Sequence, residues 1–193
     1  MLVGSWNIRG LNDPYKQQEI RALIRRNNLS FLSINETRVR EGNSLAIIQH
    51  LMPGWLFATN YTHHIGGRIW ILWDPNVLLV QVKMITDQLI HVQAMIIQQQ
   101  RPIEVSCIYG LNYPVPRRTL WRSLCLLSDS MGEVPWLVFG DYNIFRKPSE
   151  NLGGANDCPD YIDDLNDCCQ ECLLEDLRYT GYLHTWSDRK SVV

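Results

Sequence analysis

Polar side chains stand where several apolar runs of the sequence end. Asn7 follows VGSW, Glu36 follows FLSIN, and Tyr109 follows VSCI. Asp141 and Asn143 come directly after the run WLVFG. Ligands of open α/β sheets bind beyond the carboxyl ends of the strands, so we expect these groups to share one rim if their strands run in the same direction.

The chemistry that such a set offers is that of oxygen donors. Two carboxylates, two amides and a phenol include no thiol and no imidazole, which favours a hard cation such as Mg²⁺ over zinc. Bound Mg²⁺ polarises a phosphoryl oxygen and stabilises the leaving group, while an aspartate orients the attacking water. Taken singly, each residue is better explained as a turn former that satisfies local backbone groups, so the surrounding sequence must decide.

Strand and helix patterns alternate over the first forty residues. LVGSWN and LSFLSIN have the apolar character of buried strands. A helical pattern lies between them, with Asn12 or Asp13 as N-cap and Pro14 near the first helical position. This order predicts a βαβ unit with parallel strands.

The rest of the chain continues as an α/β protein. A helical pattern over residues 44–52 precedes short β-rich runs between residues 55 and 110, for which a β meander is the simplest account. Helical patterns over residues 117–131 and 160–177 flank the apolar strand PWLVFG. The sequence predicts one domain over residues 1–193, an α/β sandwich with mixed sheets.

Composition and charge narrow the function classes. Of the 193 residues, 46% are hydrophobic and 20% charged, which is typical of a soluble globular protein. No apolar stretch is long enough for a membrane span, and the start MLVGSWNIRG lacks a secretory signal, so we expect an intracellular protein without a membrane partner. Residues 1–40 hold seven Lys/Arg and three Asp/Glu, whereas residues 141–193 hold five and eleven. Overall charge therefore gives only weak support to a polyanionic partner.

The six cysteines are interpreted as reduced thiols, because the inside of the cell keeps thiols reduced. Cys168 and Cys172 share one face of a predicted helix, with Cys169 beside them and Cys158 upstream. The paired C-x-x-C spacing of structural zinc sites is absent. We therefore expect buried apolar side chains here and no zinc.

Seven short motifs together resemble the endonuclease/exonuclease/phosphatase superfamily, in the order that the family has them. They are SWNIRG (5–10), INETR (34–38), GGRIWILWDP (66–75), IYGLN (108–112), GDYNIF (140–145), SENLGG (149–154) and YTGYLHTWSD (179–188). The chain most resembles the endonuclease domain of plant non-LTR, LINE-type retrotransposons, which are relatives of apurinic endonucleases and pancreatic-type deoxyribonucleases. The resemblance implies a DNase I-like fold, a four-layered α/β sandwich with two mixed β-sheets.

The resemblance also implies roles for the strand-end residues. Asn7 and Glu36 would hold Mg²⁺, with Mn²⁺ as the alternative cation, and Glu36 thereby takes part in catalysis. Asp141 would act on the attacking water, and Asn143 would contact the phosphate or the transition state. Tyr109 matches a tyrosine beside the scissile phosphate, although the Pro-Asn that usually follows is replaced by GLN in this chain.

The same resemblance points to DNA as the substrate. Arg9 occupies a position that is acidic in the apurinic enzymes, and WNIRG suits the retrotransposon branch, whose nucleases nick DNA without an abasic lesion. Trp186 lies in a region near the nucleic-acid surface of the family, with a core position as the alternative. We expect a monomer that binds DNA, located in the nucleus if it acts on chromosomal DNA.

The C-terminus departs from the family pattern. After TWSD the family continues into further strands and a Ser-Asp-His motif, whereas this sequence stops at RKSVV. We therefore expect an incomplete C-terminus without the last strands, which leaves open whether the chain is an enzyme. The alternatives are an inactive truncated remnant and a phosphatase of the same fold acting on a phospholipid headgroup.

Overall fold

The structure, a computed structural model, describes residues 1–150, 161–178 and 180–181. The strands are β1 Val3–Asn7, β2 Phe31–Asn35, β3 Leu56–Thr59, β4 Ile69–Trp73, β5 Leu78–Ile85, β6 Leu89–Ile96, β7 Arg101–Tyr109 and β8 Trp136–Asp141. The helices are α1 Pro14–Asn27, α2 Glu41–Leu51, α3 Pro114–Ser130 and α4 Ile162–Glu171, with a short 3₁₀ helix at Pro148–Glu150. The chain forms two compact units, residues 1–111 with 132–142, and residues 112–131 with 143–193.

The first sheet of the first unit has the strand order β1-β2-β4-β3. Strands β1 and β2 are parallel, and α1 connects them, so the predicted βαβ unit is confirmed. Asp13 caps α1 by accepting a hydrogen bond from Tyr15 N at 2.9 Å, and Pro14 follows at the first helical position. Asn28 ends the helix in the left-handed conformation, at φ 49°.

The second sheet of this unit has the order β5-β6-β7-β8, with β7 and β8 parallel and the other pairs antiparallel. The expected single meander is therefore divided. Strands β3 and β4 pair in the first sheet, and β5 to β7 form a meander in the second. The division falls at a turn after β4, where Asn76 N donates to Asp74 Oδ1 at 2.9 Å and redirects the chain.

Two hydrophobic clusters hold the layers of the first unit together. One lies between the sheets, where Phe31 and Ile71 of the first sheet belong to the same cluster as Val92 and Val105 of the second. The other lies between the first sheet and the helices α1 and α2. Each fully buried apolar side chain contributes about 1.5–3 kcal/mol to the stability of the fold. This packing fixes the strand ends on which the candidate site stands.

The second unit contains α3 packed against α4. Helix α4 is shorter than the predicted helix, because Leu173 adopts the left-handed conformation at φ 53°. Leu174 N then donates to Cys169 O at 2.8 Å, a bond that closes the last turn of a helix. Among the described residues, none of the helices has the length and apolar character of a membrane-spanning segment.

Candidate active site

The ends of four strands bring four of the predicted residues together. In the parallel pair β1 and β2, Asn7 lies opposite Asn35, the residue before Glu36. In the parallel pair β7 and β8, Tyr109 lies opposite Asp141. Strands β1 and β8 contact each other, and all of these residues belong to the first compact unit. The carboxyl ends of both parallel pairs thus meet at one rim.

The amide of Asn7 joins the two carboxylates of this rim. Its Nδ2 donates to Asp141 Oδ2 at 2.5 Å and to Glu36 Oε1 at 3.2 Å. Its Oδ1 is buried and has no hydrogen-bond partner among the described residues. Buried polar atoms almost always have a partner, so an unpaired oxygen beside two carboxylates needs an explanation. A hard divalent cation, which takes oxygen ligands, fits this donor set.

Glu36 is held ionised by its neighbours. Its side chain is only 15% exposed, and Oε2 accepts a hydrogen bond from Arg38 Nη2 at 2.7 Å. Tyr109 OH donates to Oε1 at 3.2 Å. Burial raises the pKa of Glu36, but the hydrogen bonds from Asn7, Arg38 and Tyr109 and the charge of Arg38 together hold the pKa below its usual value. The carboxylate is therefore charged at neutral pH and suited to a cation.

Arg68 is a site residue that the sequence interpretation missed. Its Nη1 donates to Tyr109 OH at 3.0 Å, and its guanidinium carbon lies 5.2 Å from the centroid of the Tyr109 ring. Its backbone O accepts from Glu36 N at 2.9 Å. The arginine stands inside the motif GGRIWILWDP, directly before β4, and that position could have indicated it. Arg68 therefore places a positive charge beside the phenol and fixes the hydroxyl of Tyr109.

Strained backbone concentrates around the predicted residues. Non-glycine residues with positive φ include Arg9 at 50°, Glu36 at 52°, Arg38 at 51° and Asn143 at 50°. Such conformations are uncommon for residues with a side chain and cost of order 1–3 kcal/mol each. They persist only where the surrounding structure imposes them, which is typical of functional sites.

Gly140 is required for the approach of β8 to β7 at the rim. It has φ 141°, and a Cβ atom at this position would lie 2.1 Å from Ile108 O. No side chain fits in that space, so only glycine allows β8 to stay paired with β7 up to Asp141. The glycine of the sequence GDYN thus has a steric reason to precede the aspartate.

A buried amide next to the site links the two sheets. Asn35 is fully buried, and its Nδ2 donates to Ile108 O at 2.7 Å. Ser33 Oγ donates to Asn35 Oδ1 at 3.3 Å and orients the amide. The strand that precedes Glu36 is thereby tied to the strand that carries Tyr109.

The loop after β1 is tied to the loop after β2. Gly10 N donates to Glu36 O and Leu11 N to Thr37 O, both at 2.7 Å. Arg9 is exposed, and its backbone O accepts from Lys16 Nζ at 2.9 Å. These bonds hold the backbone of Arg9 beside that of Glu36.

The remaining predicted substrate contacts involve Asn143 and Trp186. Asn143 belongs to the second compact unit, and Trp186 lies outside the described residues. Their predicted contacts with the substrate stay predictions.

Solved structures of nucleases share the fold. The endonuclease domain of TRAS1, a telomere-specific non-LTR retrotransposon, is 14% identical with a TM-score of 0.64, covering 87% of this chain and 70% of that chain. An AP endonuclease from Archaeoglobus fulgidus is 15% identical with a TM-score of 0.60, covering 90% of this chain and 70% of that chain. AP endonuclease LMAP from Leishmania major is 12% identical with a TM-score of 0.64, covering 87% and 65%. The α/β fold with two mixed sheets is therefore DNase I-like, as predicted.

The sequence itself matches the Endonuclease/Exonuclease/phosphatase family over residues 4–189. The matched range contains every candidate site residue from Asn7 to Trp186. No curated protein matches the chain.

Proposed function

The chain belongs to the Endonuclease/Exonuclease/phosphatase family, and from this premise we propose that it is a Mg²⁺-dependent phosphodiesterase that nicks DNA. The observation that carries the proposal is the convergence of Asn7, Glu36 and Asp141 from three strands, with a buried Asn7 oxygen that has no partner among the described residues. An arrangement of oxygen donors without thiols or imidazoles supports a hard cation.

Asn7 and Glu36 would hold the ion, with Mn²⁺ as an alternative to Mg²⁺. When bound, the ion supplies charge that polarises the phosphoryl oxygen and stabilises the leaving oxygen. The lowered pKa of Glu36 supports this role, since the ligand is deprotonated before the cation arrives.

Asp141 would orient the attacking water and accept its proton. The hydrogen bond from Asn7 Nδ2 to Asp141 Oδ2 fixes the orientation of this carboxylate relative to Glu36. A general base must be held within hydrogen-bond reach of the proton it takes, and a carboxylate anchored at one oxygen meets that need. The cost of holding two carboxylates close together is offset by the shared amide donor.

Tyr109 and Arg68 would bind the scissile phosphate, and Asn143 and Arg9 would add further phosphate contacts. The bond from Arg68 to Tyr109 OH holds the hydroxyl in one place, and the guanidinium supplies charge and donors for phosphate oxygens. Arg38 adds a second guanidinium beside Glu36, with 65% of its side chain exposed. Positive charge around a carboxylate pair supports a polyanionic substrate.

DNA is proposed as that polyanion because the fold is shared with a retrotransposon endonuclease domain and with AP endonucleases. We further propose that the chain acts on intact duplex as a monomer, and in the nucleus when its target is chromosomal DNA. A cut at one strand of intact DNA requires backbone recognition only, which exposed arginines such as Arg9 can supply.

A plasmid-nicking assay tests the proposal. We expect conversion of supercoiled to open-circular DNA with Mg²⁺ and none with EDTA. Glu36→Gln should reduce the rate by at least about 100-fold, since a metal site contributes several kcal/mol to the transition state. Glu41→Gln, a matched change of an exposed glutamate in α2, should leave the rate unchanged.

The outcomes separate the proposal from its competitors. Equal nicking by wild type and Glu36→Gln would reveal a contaminating nuclease and overturn the assignment of the site. No nicking by wild type with either Mg²⁺ or Mn²⁺ would overturn the activity itself. Cleavage of duplexes that contain an abasic site, without cleavage of matched intact duplexes, would overturn the proposed use of intact DNA.

A further inference from the structure

Three thiols of the second compact unit converge on one another. Cys125 lies on α3, Cys168 lies on α4, and Cys172 is the C-cap of α4. Cys172 Sγ lies 3.7 Å from Cys125 Sγ and 4.0 Å from Cys168 Sγ, and the three sulfurs all lie within 4.8 Å of one another. Cys168 and Cys172 are buried, while Cys125 is half-buried and marks the side open to solvent.

The sulfur separations are those of ligands to one metal ion. Zinc–sulfur bonds are about 2.3 Å long, and a tetrahedral arrangement places its sulfur ligands about 3.8 Å apart. Two of the three separations, 3.7 and 4.0 Å, lie close to that distance, and the third is within 4.8 Å. Binding requires the loss of the thiol protons.

Local geometry explains why these three cysteines meet and Cys169 does not join them. Positions 168 and 172 are four residues apart and share a face of α4, which packs on α3 beside Cys125. Cys169 is close to the positive charge of Arg146 instead. The sequence spacing placed Cys168 and Cys172 on one face, but it could not indicate Cys125, which comes from a different helix. The expectation of no zinc was based on the spacing within α4 alone.

The surroundings of the cluster keep its thiols protonated. Burial is the main cause that raises the pKa of Cys125, and the nearby carboxylate of Glu171 adds to it. Cys168 Sγ in the thiol form donates a hydrogen bond to Trp121 O at 3.7 Å. Burial raises the pKa of Cys172 to about 12 and raises that of Cys168 further, so without a cation these groups are thiols.

We propose that Cys125, Cys168 and Cys172 bind one Zn²⁺ ion as a structural site and supply three of its four ligands. Three sulfur–hydrogen bonds break, three zinc–sulfur bonds form, and three protons leave to solvent without any change of oxidation state. The ion would fasten α3 to α4. Soft thiolates take a different class of cation from the oxygen donors of Asn7 and Glu36, so this inference does not depend on the proposed nuclease activity.

Titration of the reduced full chain with Co²⁺ as the probe tests the site. Only sulfur ligands give Co²⁺ a thiolate-to-metal charge-transfer band in the near ultraviolet, so Co²⁺ bound by oxygen does not interfere. We expect this band to saturate at one equivalent and to disappear when Zn²⁺ displaces the probe. Each of Cys125→Ser, Cys168→Ser and Cys172→Ser should lose the band, and Cys169→Ser, a matched change on the same helix, should keep it.

A second readout guards against misfolded variants. Zn²⁺ should raise the thermal unfolding midpoint of wild type and of Cys169→Ser, and circular dichroism without metal reports whether each variant is folded. The absence of a charge-transfer band in folded wild type would overturn the proposal. A band that persists in the three cluster variants would also overturn it, since the sulfur ligands would then lie elsewhere in the chain.

Discussion

At the residue scale, the side-chain amide of Asn7 holds the carboxylates of Glu36 and Asp141 together. A bound cation would otherwise have to fill this role. Glu36 and Asp141 are like charges brought to the same amide, and both accept hydrogen bonds from its Nδ2. Like charges disfavour each other's ionised form, whereas hydrogen-bond donors favour it. The amide therefore keeps two carboxylates together before a cation binds, and its buried oxygen stays available as a ligand.

Substitution of Arg38 should change the pKa of Glu36. Arg38→Met removes a hydrogen bond of 2.7 Å and a positive charge, so the pKa of Glu36 rises. We expect the acidic limb of the profile of kcat/KM for nicking against pH to move to higher pH. Because most of the Arg38 side chain is exposed, the loss of folding stability should stay within about 1 kcal/mol.

The matched control for this prediction is Arg40→Met, which removes an exposed arginine at the start of α2. Its acidic limb should superimpose on that of wild type. Superposition of the Arg38→Met limb as well would show that Arg38 does not set the protonation of Glu36.

At the scale of elements, the site depends on how closely β8 approaches β7. The two strands are parallel, and their pairing extends to Tyr109 and Asp141 at the rim. Any widening of this pair moves Asp141 relative to Asn7. Near the rim, a Cβ atom added to Gly140 would lie only 2.1 Å from Ile108 O.

Gly140→Ala should therefore destabilise the fold. Overpacking costs about 1–3 kcal/mol and an imposed positive φ costs a similar amount, so the free energy of unfolding should fall by roughly 2–4 kcal/mol. Urea denaturation measures this difference. Gly132→Ala, where nothing lies within 4 Å of the added methyl group, should change stability by no more than about 0.5 kcal/mol.

Nearly identical urea midpoints for the two alanine variants would contradict the steric role of Gly140. Nicking activity gives a second comparison, since only Gly140→Ala should displace Asp141. Activity retained at the wild-type rate in that variant would mean that the rim tolerates a shift of β8.

The elements themselves could be predicted well from the sequence. Caps, prolines and apolar periodicity indicated α1, and apolar runs indicated β2 and β8 close to their observed bounds. The division of the β-rich runs between two sheets could not be predicted, because strand pairing depends on contacts distant in sequence. The early end of α4 was also missed, since Leu173 adopts a conformation that favours glycine.

At the scale of the whole molecule, a chain of polar contacts, buried at His91, Ser106 and Glu104, runs through the second sheet. Trp136 Nε1 donates to Ser106 Oγ at 2.9 Å, and Ser106 Oγ contacts His91 Nδ1 at 2.9 Å. His91 Nε2 lies 3.1 Å from Glu104 Oε2. Desolvation lowers the pKa of His91 and outweighs the opposing effect of Glu104, so the imidazole is neutral at pH 7.

This burial makes global stability depend on pH. Below the ordinary histidine pKa of about 6.5, the unfolded chain binds a proton that the native His91 does not, so stability falls as the pH is lowered. The slope that one such group adds is at most about 1.4 kcal/mol per pH unit. Urea unfolding at pH values from about 8 to about 5.5, a range that spans this pKa, measures the slope.

His91→Gln should make this slope shallower without removing it, because the pKa of His64 is also lowered by desolvation. His50→Gln, a change of an exposed histidine on α2, should leave the slope as it is in wild type. Parallel profiles for wild type and His91→Gln would contradict the assignment of a neutral buried imidazole.

The candidate site could be predicted in part. Strand ends and short sequence motifs indicated Asn7, Glu36, Tyr109 and Asp141, and the structure brings these four together. Arg68 was not predicted, because its contact with Tyr109 crosses from the first sheet to the second. Which cation binds, and what Asn143 and Trp186 contact, stay predictions.

The bond between Asn7 and Asp141 spans 134 positions of the chain. A nascent polypeptide on the ribosome can form the β1–α1–β2 unit early, yet it carries no aspartate to complete the rim until β8 has been synthesised and paired. The rim that the proposed function requires is therefore complete only after translation has passed residue 141.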